Sequence, residues 1–346
     1  MRAIPKIDLK KRKSNQPHVV LLGAGASFAA FPKGDINGVQ LPLMNNIVSI
    51  LKLEPLLKKY GIDYNGENFE AFYSNLVTSK INAKLQGQIG EAIFKYFSEM
   101  IIPDEPTLYD YLLLSLREKD IIATFNWDPF LAQAYLRNYK VAKDKLPDII
   151  FLHGNVAIGT CKECKAMGFL DYSPFCWICK KPFEFSKLLY PVEHKNYQED
   201  DFIDLQWKKL KYNLKQAYML TIFGYSAPVS DVEAISLMTE AWALNSIQGW
   251  AWIDIIDIKN ESELLQTWKP FSSYFSSTLK NIMETYLFTH PRRSCEALQM
   301  ATLQQNPWSD NPYPKFKTLG ELHKWIAPLV EEERDDKCLS SKGTYS

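Results

Sequence analysis

Short, nearly unbroken apolar runs alternate along this chain with longer stretches in which apolar residues recur every three or four positions. The first run, His18-Val19-Val20-Leu21-Leu22, is rich in β-branched residues and leads into Gly23-Ala24-Gly25-Ala26-Ser27, which predicts a buried strand, a tight turn and the start of a helix. Further strand-like runs stand at 120–125, 148–152, 217–223 and 250–258, and a helix-like run spans Asp231 to Leu244. Residues 31–43, with two Pro and two Gly, predict an irregular loop. From 44 to 117 the spacing in NNIVSILKLEPLLKKY and EAIFKYFSEMI predicts a helical module. After about 260 the chain again reads helical, and beyond Glu333 it turns polar. Strands alternating with helices imply an α/β fold built on a mostly parallel, doubly wound sheet.

The polar residues with chemical capacity share one position in this pattern: they sit just past the C-terminal ends of the apolar runs. In an open α/β sheet that edge is where ligands bind, so the pattern predicts one cofactor site. The Gly23/Gly25 turn suits phosphate, because glycines let backbone amides approach a pyrophosphate at a helix N-terminus. A plain strand-to-helix turn is the alternative. Phe28 stands where the usual dinucleotide fingerprint has its third glycine, and Met44 and Asn45 stand where its acid belongs. Both departures disfavour a conventional nicotinamide oxidoreductase. His153, after the run at 148–152, is placed to accept a proton from water or a ribose hydroxyl. Asn126 is placed to bond a ribose hydroxyl or hold a water, with a strand-terminal turn asparagine as the plainer reading.

Composition narrows the partners. Forty basic and forty acidic residues cancel, with a pI near 7.0, so no electrostatic footprint for nucleic acid or an anionic membrane exists. The basic run Lys10-Lys11-Arg12-Lys13 reads as a solvated tail, or as a weak partner contact. No apolar stretch approaches the roughly 20 residues of a membrane span, and the N-terminus lacks the apolar centre of a signal peptide. Four of the six cysteines form two C-x2-C pairs, Cys161/Cys164 and Cys176/Cys179, separated by eleven residues. That spacing suggests a closed four-thiolate zinc site with no open position for catalysis; paired thiols without metal are the alternative. Cys295 and Cys338 stand alone. These features point to a cytoplasmic protein.

Taken together, Gly23-Ala24-Gly25-Ala26-Ser27, Thr124-Phe125-Asn126-Trp127-Asp128, Leu152-His153-Gly154, the C-x2-C pairs and Gly224-Tyr225-Ser226 resemble, in order and spacing, the sirtuin family of NAD-consuming enzymes. The resemblance spans residues 18–258. It implies a Rossmann-like NAD-binding catalytic domain there, with a helical module at 44–117 and a zinc ribbon inserted at 156–190. A basic tail at 1–17, a helical region at 259–333 and a disordered tail at 334–346 would flank it. On this resemblance Ala24 and Ser27 line the pyrophosphate pocket with the two glycines. Asn126 and Asp128 face the nicotinamide ribose and carboxamide, and His153 is the general base. Gly224 and Ser226 contact the adenosine side, with Asp254 or Asp257 as a weaker ribose candidate.

Several positions depart from the family pattern. Phe125 stands where the deacylases carry Gln, and the Asp-Phe-Arg segment is absent from 28–43, where Asp35 is the only acid. Gly-Tyr-Ser followed by Pro228 and Asp231 looks closer to the bacterial antiphage-defence sirtuin-like proteins that hydrolyse NAD. The expectation is therefore an NAD glycohydrolase with NAD as substrate and structural zinc. A homo-oligomer or a regulatory partner, such as an ATPase, would restrain it through residues 260–333. A sirtuin-type protein deacylase or ADP-ribosyltransferase, and a non-catalytic NAD or ADP-ribose sensor, are the competing readings.

Overall fold

Each of the five apolar runs becomes a strand of one sheet in the computed structural model, which describes residues 16–79, 83–191, 196–228, 231–271 and 275–333. The basic run at 10–13 and the tail at 334–346 lie outside the described residues. In chain order the strands are β1 (His18–Leu22), β2 (Ile121–Thr124), β3 (Asp148–Phe151), β4 (Ile158–Cys161), β5 (Ala166–Phe169), β6 (Glu184–Phe185), β7 (Met219–Phe223), β8 (Trp252–Ile256) and β9 (Phe275–Leu279). The main sheet is parallel throughout, in the order β3-β2-β1-β7-β8-β9. The order reverses between β1 and β7, and in a doubly wound sheet such a reversal opens a crevice at the C-terminal strand ends.

The strands read as unbroken apolar runs because both of their faces are covered. Successive residues point to opposite faces. Val20, Leu22, Ile122 and Phe151 join one core, and Val19, Leu21, Ile121, Ala123 and Ile150 join the other. Helices α1 (Ala24–Ala30), α2 (Phe69–Thr78), α3 (Ala83–Ser98), α4 (Leu108–Ser115) and α5 (Phe130–Ala142) supply the first core. Helices α6 (Asp201–Leu214) and α7 (Val232–Ala243) supply the second. After α8 (Glu261–Thr267) comes β9, in a stretch that the sequence reads as helical. Its residues, FSSTL, carry neither a continuous apolar run nor a clean alternation, because an edge strand needs less burial than a central one. Helices α9 (Ser294–Thr302) and α10 (Leu319–Glu331) close the chain, the latter packing on α5.

At the opposite end of the sheet from the strand-end motifs lies a buried ionic cluster. Arg117, Lys119, Asp120, Arg292, Glu296 and Glu333 are each no more than 3% exposed, and their three positive and three negative charges balance. Arg292 donates from Nε and Nη2 to Glu333 at 2.5 and 2.6 Å, and its Nη1 donates to the carbonyl of Leu116 at 2.8 Å. Arg117 Nη1 lies 3.0 Å from Glu296 and its Nε 3.4 Å from Glu333. Burial alone pushes the Asp120 carboxyl up, but the Lys119 charge and the amides of His18 and Arg117 outweigh it and hold it below the ordinary range. The cluster joins the loop before β2 to the C-terminal helices, so their place on the sheet is fixed by charge complementarity.

Removing one partner from such a cluster strands an uncompensated buried charge, which typically costs about 3–5 kcal/mol. Glu333→Gln is expected to lower the stability in urea unfolding by that order. An unchanged unfolding midpoint would show that the cluster contributes no net stability through Glu333.

Candidate functional site

Backbone packing builds the floor of the crevice. The turn leaving β1 and the turn leaving β7 touch with no side chain between them. Gly25 N–H donates to the Gly224 carbonyl at 2.9 Å, and Gly23 N–H to that of Phe223 at 3.1 Å. Gly224 has φ +60°, and a Cβ there would fall 2.2 Å from the amide nitrogen of Ala26. A Cβ on Gly23 would fall 2.5 Å from the Gly224 oxygen. The glycines are thus required first by this close approach, and the Gly23 and Gly25 amides are engaged within the fold. Ala24 is exposed at the first position of α1, where a helix's first N–H groups have no intrahelical acceptor.

On the α1 side of this floor a buried polar network gathers Ser27, Asn126, Asp128 and Tyr109. Ser27 Oγ donates to Asp128 Oδ2 at 2.7 Å and lies 2.6 Å from the Tyr109 hydroxyl. Asn126 Nδ2 donates to the Gly23 carbonyl at 2.9 Å and to Ser27 Oγ at 2.8 Å. The Gly23 carbonyl can only accept, so it fixes the amide's orientation and turns Asn126 Oδ1 away from the network. Asn155 Nδ2 donates to the backbone carbonyls of Asn126 and Asp128, at 3.2 and 2.7 Å, and so holds the turn after β2 in shape. Burial pushes the Asp128 carboxyl up to about 6, against the bonds from Ser27 and the Phe130 amide, which lower it. Burial, with the Asp128 charge second, raises the Tyr109 phenol well above its ordinary value.

A second cluster lies on the other side of the strand ends. His153 Nε2 stands 3.2 Å from the Tyr197 hydroxyl and 3.9 Å from Asp231 Oδ1. Its ring meets Phe125 edge-on, with centroids 4.9 Å apart. Phe125 in turn stacks on Tyr225 at 4.1 Å and 10°. Asn126 and Phe125 are consecutive, so their side chains point to opposite faces. That alternation puts Asn126 with Ser27, and Phe125 with His153. The two candidate catalytic residues therefore belong to adjoining clusters that flank the glycine floor.

The remaining candidates divide. Ser226 is exposed beside Gly224 at the crevice. Asp257 follows β8 at the ligand edge, but Asp254 does not: it sits in mid-strand opposite Thr221 and Ser277, where Trp252 Nε1 and Ser277 Oγ donate to it at 2.7 and 2.6 Å. Both bonds fall on Oδ1 within the sheet, two residues short of the strand's C-terminal end. Asp35 organises the loop at 31–43, accepting from the amides of Asn37, Val39 and Ile101. Tyr109, Asn155 and Tyr197 were not singled out by sequence, since nothing in their local pattern marks them; Tyr109 and Tyr197 reach the site from a helix and a loop distant in the chain, and Asn155 stands two residues after His153.

Between β3 and α6, strands β4, β5 and β6 form an antiparallel sheet in the order β5-β4-β6. Cys161, Cys164, Cys176 and Cys179 bring their sulfurs within 4.8 Å of one another, an arrangement compatible with a zinc site. Lys165 and Lys180, directly after the second cysteine of each pair, adopt φ +49° and +62°, which turns each pair back on itself. Among the described residues no helix is long and apolar enough to cross a membrane.

No protein-family model matches the chain, and no curated protein does. The chain is similar to solved sirtuin structures. The structure of Sir2Tm bound to a propionylated peptide is 15% identical, over 87% of this chain and 97% of that one, with a TM-score of 0.36. A mutant Sir2 homologue in complex with ADP-ribose is 12% identical, over 96% and 99%, with a TM-score of 0.39. At such TM-scores the likeness adds nothing to the architecture drawn above from strand order.

The folded Asp128 carboxyl keeps its proton to about pH 6, whereas the unfolded one releases it near its ordinary value of 3.8. The folded state binds more protons in that window, so this residue's contribution to stability falls as pH rises from about 4 to about 6. Asp128→Asn should remove that component, leaving the variant's melting temperature less dependent on pH across the window than the wild type's. Parallel profiles for the two proteins would contradict the assignment.

Proposed function

We propose that the crevice between the ends of β1 and β7 binds NAD and that the protein cleaves its nicotinamide–ribose bond with water, giving ADP-ribose and nicotinamide. The observation that carries this reading is the convergence of Gly23, Gly25, Gly224, Ser27, Asn126, Asp128 and His153 at the one place where the strand order reverses. The sequence motifs that resemble the sirtuins supply those same residues, and that resemblance supports NAD as the ligand. Breaking the bond leaves positive charge at C1′ of the ribose as nicotinamide departs with the bonding electrons. The protein's work is to orient the nucleotide, admit one water and accept its proton. Asn126 Oδ1, turned out of the buried network, is the group that orients a ribose hydroxyl or the water. His153 accepts the proton.

Water is favoured over an acylated lysine by the Phe125–Tyr225 stack. Both residues are departures from the deacylase pattern, and they contact each other, forming an apolar wall beside His153. The four-cysteine cluster is read as a structural zinc site. A tetrahedral Zn–S bond of about 2.3 Å sets sulfurs about 3.8 Å apart, and Cys161 and Cys179 stand at 3.6 Å. Four thiolates close the shell, so such an ion takes no part in bond cleavage. An enzyme that drains NAD requires restraint in the cell that makes it. The reading therefore extends to a cytoplasmic effector of bacterial antiphage defence, held in check by self-assembly or by a partner such as an ATPase.

Incubated with NAD, the protein, with any partner it needs, is expected to release free ADP-ribose whether or not an acylated peptide is present. His153→Ala should lower the rate by ~10²-fold or more, the usual scale for a lost acid–base group, with melting temperature little changed. NAD loss only with acyl-lysine, and O-acyl-ADP-ribose as product, would overturn the hydrolase reading in favour of deacylation. Freshly purified protein should carry about one zinc per chain by elemental analysis. Cys161→Ser should lose it and unfold at lower temperature, since metal binding energy is folding energy in such ribbons. A metal-free wild type that keeps its stability would refute the zinc assignment.

A further inference from the structure

Asp231 stands at the start of α7, yet its carboxylate is used elsewhere: no side-chain cap bond is made to the helix. It is 4% exposed. One oxygen, Oδ2, accepts the Tyr225 phenol at 2.9 Å, and the other, Oδ1, lies 3.9 Å from His153 Nε2. Tyr225 is itself clamped by its stack on Phe125, so the carboxylate is oriented from β7 as well as from α7. Four elements thus meet around one imidazole: the ends of β2 and β3, the turn after β7 and the first turn of α7.

We infer that Asp231 is a positioning residue for His153, fixing the proton on Nε2 and leaving the basic lone pair on Nδ1. A carboxylate facing a ring nitrogen attracts an N–H and repels a lone pair, so the tautomer protonated at Nε2 is the one this geometry selects. The Tyr197 hydroxyl, 3.2 Å from the same nitrogen, then accepts from it. When Nδ1 takes up a proton the ring becomes cationic, and the Asp231 carboxylate, 3.9 Å from Nε2, stabilises it. An opposite charge within about 4–6 Å favours the charged form of an imidazole. Among the described residues, the other charged and titratable groups on the elements packed here are Tyr197 and Tyr225, the Glu233 carboxylate whose charge reaches Tyr197, the Glu70 carboxylate whose charge reaches Tyr225, and the ion pair between Lys187 at the ribbon's root and Glu199. Among the described residues, Asp231 is the carboxylate within 4 Å of the imidazole nitrogen.

This inference rests on His153 acting as the base of the proposed hydrolysis, but it has a readout that needs no NAD. In protein labelled with ¹³C-histidine, the His153 signal is assigned by its loss in His153→Gln and titrated by NMR. Asp231→Asn should lower its midpoint by about one unit or more, and the acidic limb of the pH–rate profile for NAD cleavage should move down with it. Asp231→Glu should restore both in part. Tyr225→Phe, which frees the carboxylate while keeping the stack, should give a smaller shift in the same direction and serves if Asp231→Asn does not fold. An unmoved His153 midpoint in a folded variant would overturn the role of Asp231 even if the wild type cleaves NAD. A shifted midpoint in a protein that never cleaves NAD would sustain it and defeat the hydrolase reading.

Discussion

Two turns leave neighbouring strands toward opposite faces of the sheet and meet backbone to backbone, with the Gly224 oxygen against Gly23 and Gly25. A single added methyl at any of these positions would force β1 and β7 apart. The crevice depends on that contact. It brings the start of α1, the turn after β2 and the turn after β7 close enough to share one ligand, and it fixes which side each neighbouring side chain takes. Ser27 and Asn126 fall to the α1 side, Phe125 and Tyr225 to the α7 side, and the glycines stay between them as floor. The Asn126 amide adds the transverse tie, bonding the Gly23 carbonyl across the strand gap.

The inserted ribbon is bound to the same region more tightly than its exposed position suggests. Its root returns at Ser186–Leu189 and lies directly on the end of β3. Ser186 Oγ accepts the Asn155 amide and donates to the Asn155 carbonyl, at 3.0 and 2.7 Å, and Leu189 N–H donates to the His153 carbonyl at 2.9 Å. Gly154, with φ +74°, has space for no side chain, since a Cβ would fall 2.0 Å from the Lys187 oxygen. Asn155 is therefore held by the ribbon on one side while it holds the Asn126 and Asp128 carbonyls on the other. The root of the ribbon therefore helps to hold the turn after β2, through Ser186 and Asn155.

How much of this was legible in the chain follows from how each part is held. β1, β2, β3, β7 and β8 announce themselves because strands buried on both faces must be apolar along their whole length. β9 does not, because FSSTL at an edge satisfies no such demand. The strand-end residues were legible as a set, since the motif order gives which strands they follow. Their grouping was not: only the alternation at Phe125 and Asn126 separates His153 from Ser27, and it becomes visible once the strand register is known. Asp254 and Asp257 look equivalent in sequence, yet three residues of rise along β8 put one in mid-sheet and the other at the edge. Tyr109, Asn155 and Tyr197 carry no local signature, because a buried polar network is chosen by distance in space and leaves no period in the chain.

The central position of β1 has a consequence for the chain as it is made. β1, at 18–22, is made well before β7, its partner on one side, at 219–223. At about 5–20 residues per second, roughly 10–40 s pass between them. During that interval the β7-facing edge of a strand that is apolar from Val19 to Leu22 has no native neighbour, the condition that invites pairing with another nascent chain. A translation product that stops before β7 would carry Asn126, His153 and the four cysteines but neither Gly224 nor Asp231. Such a fragment would be a client for chaperones rather than a partly working protein.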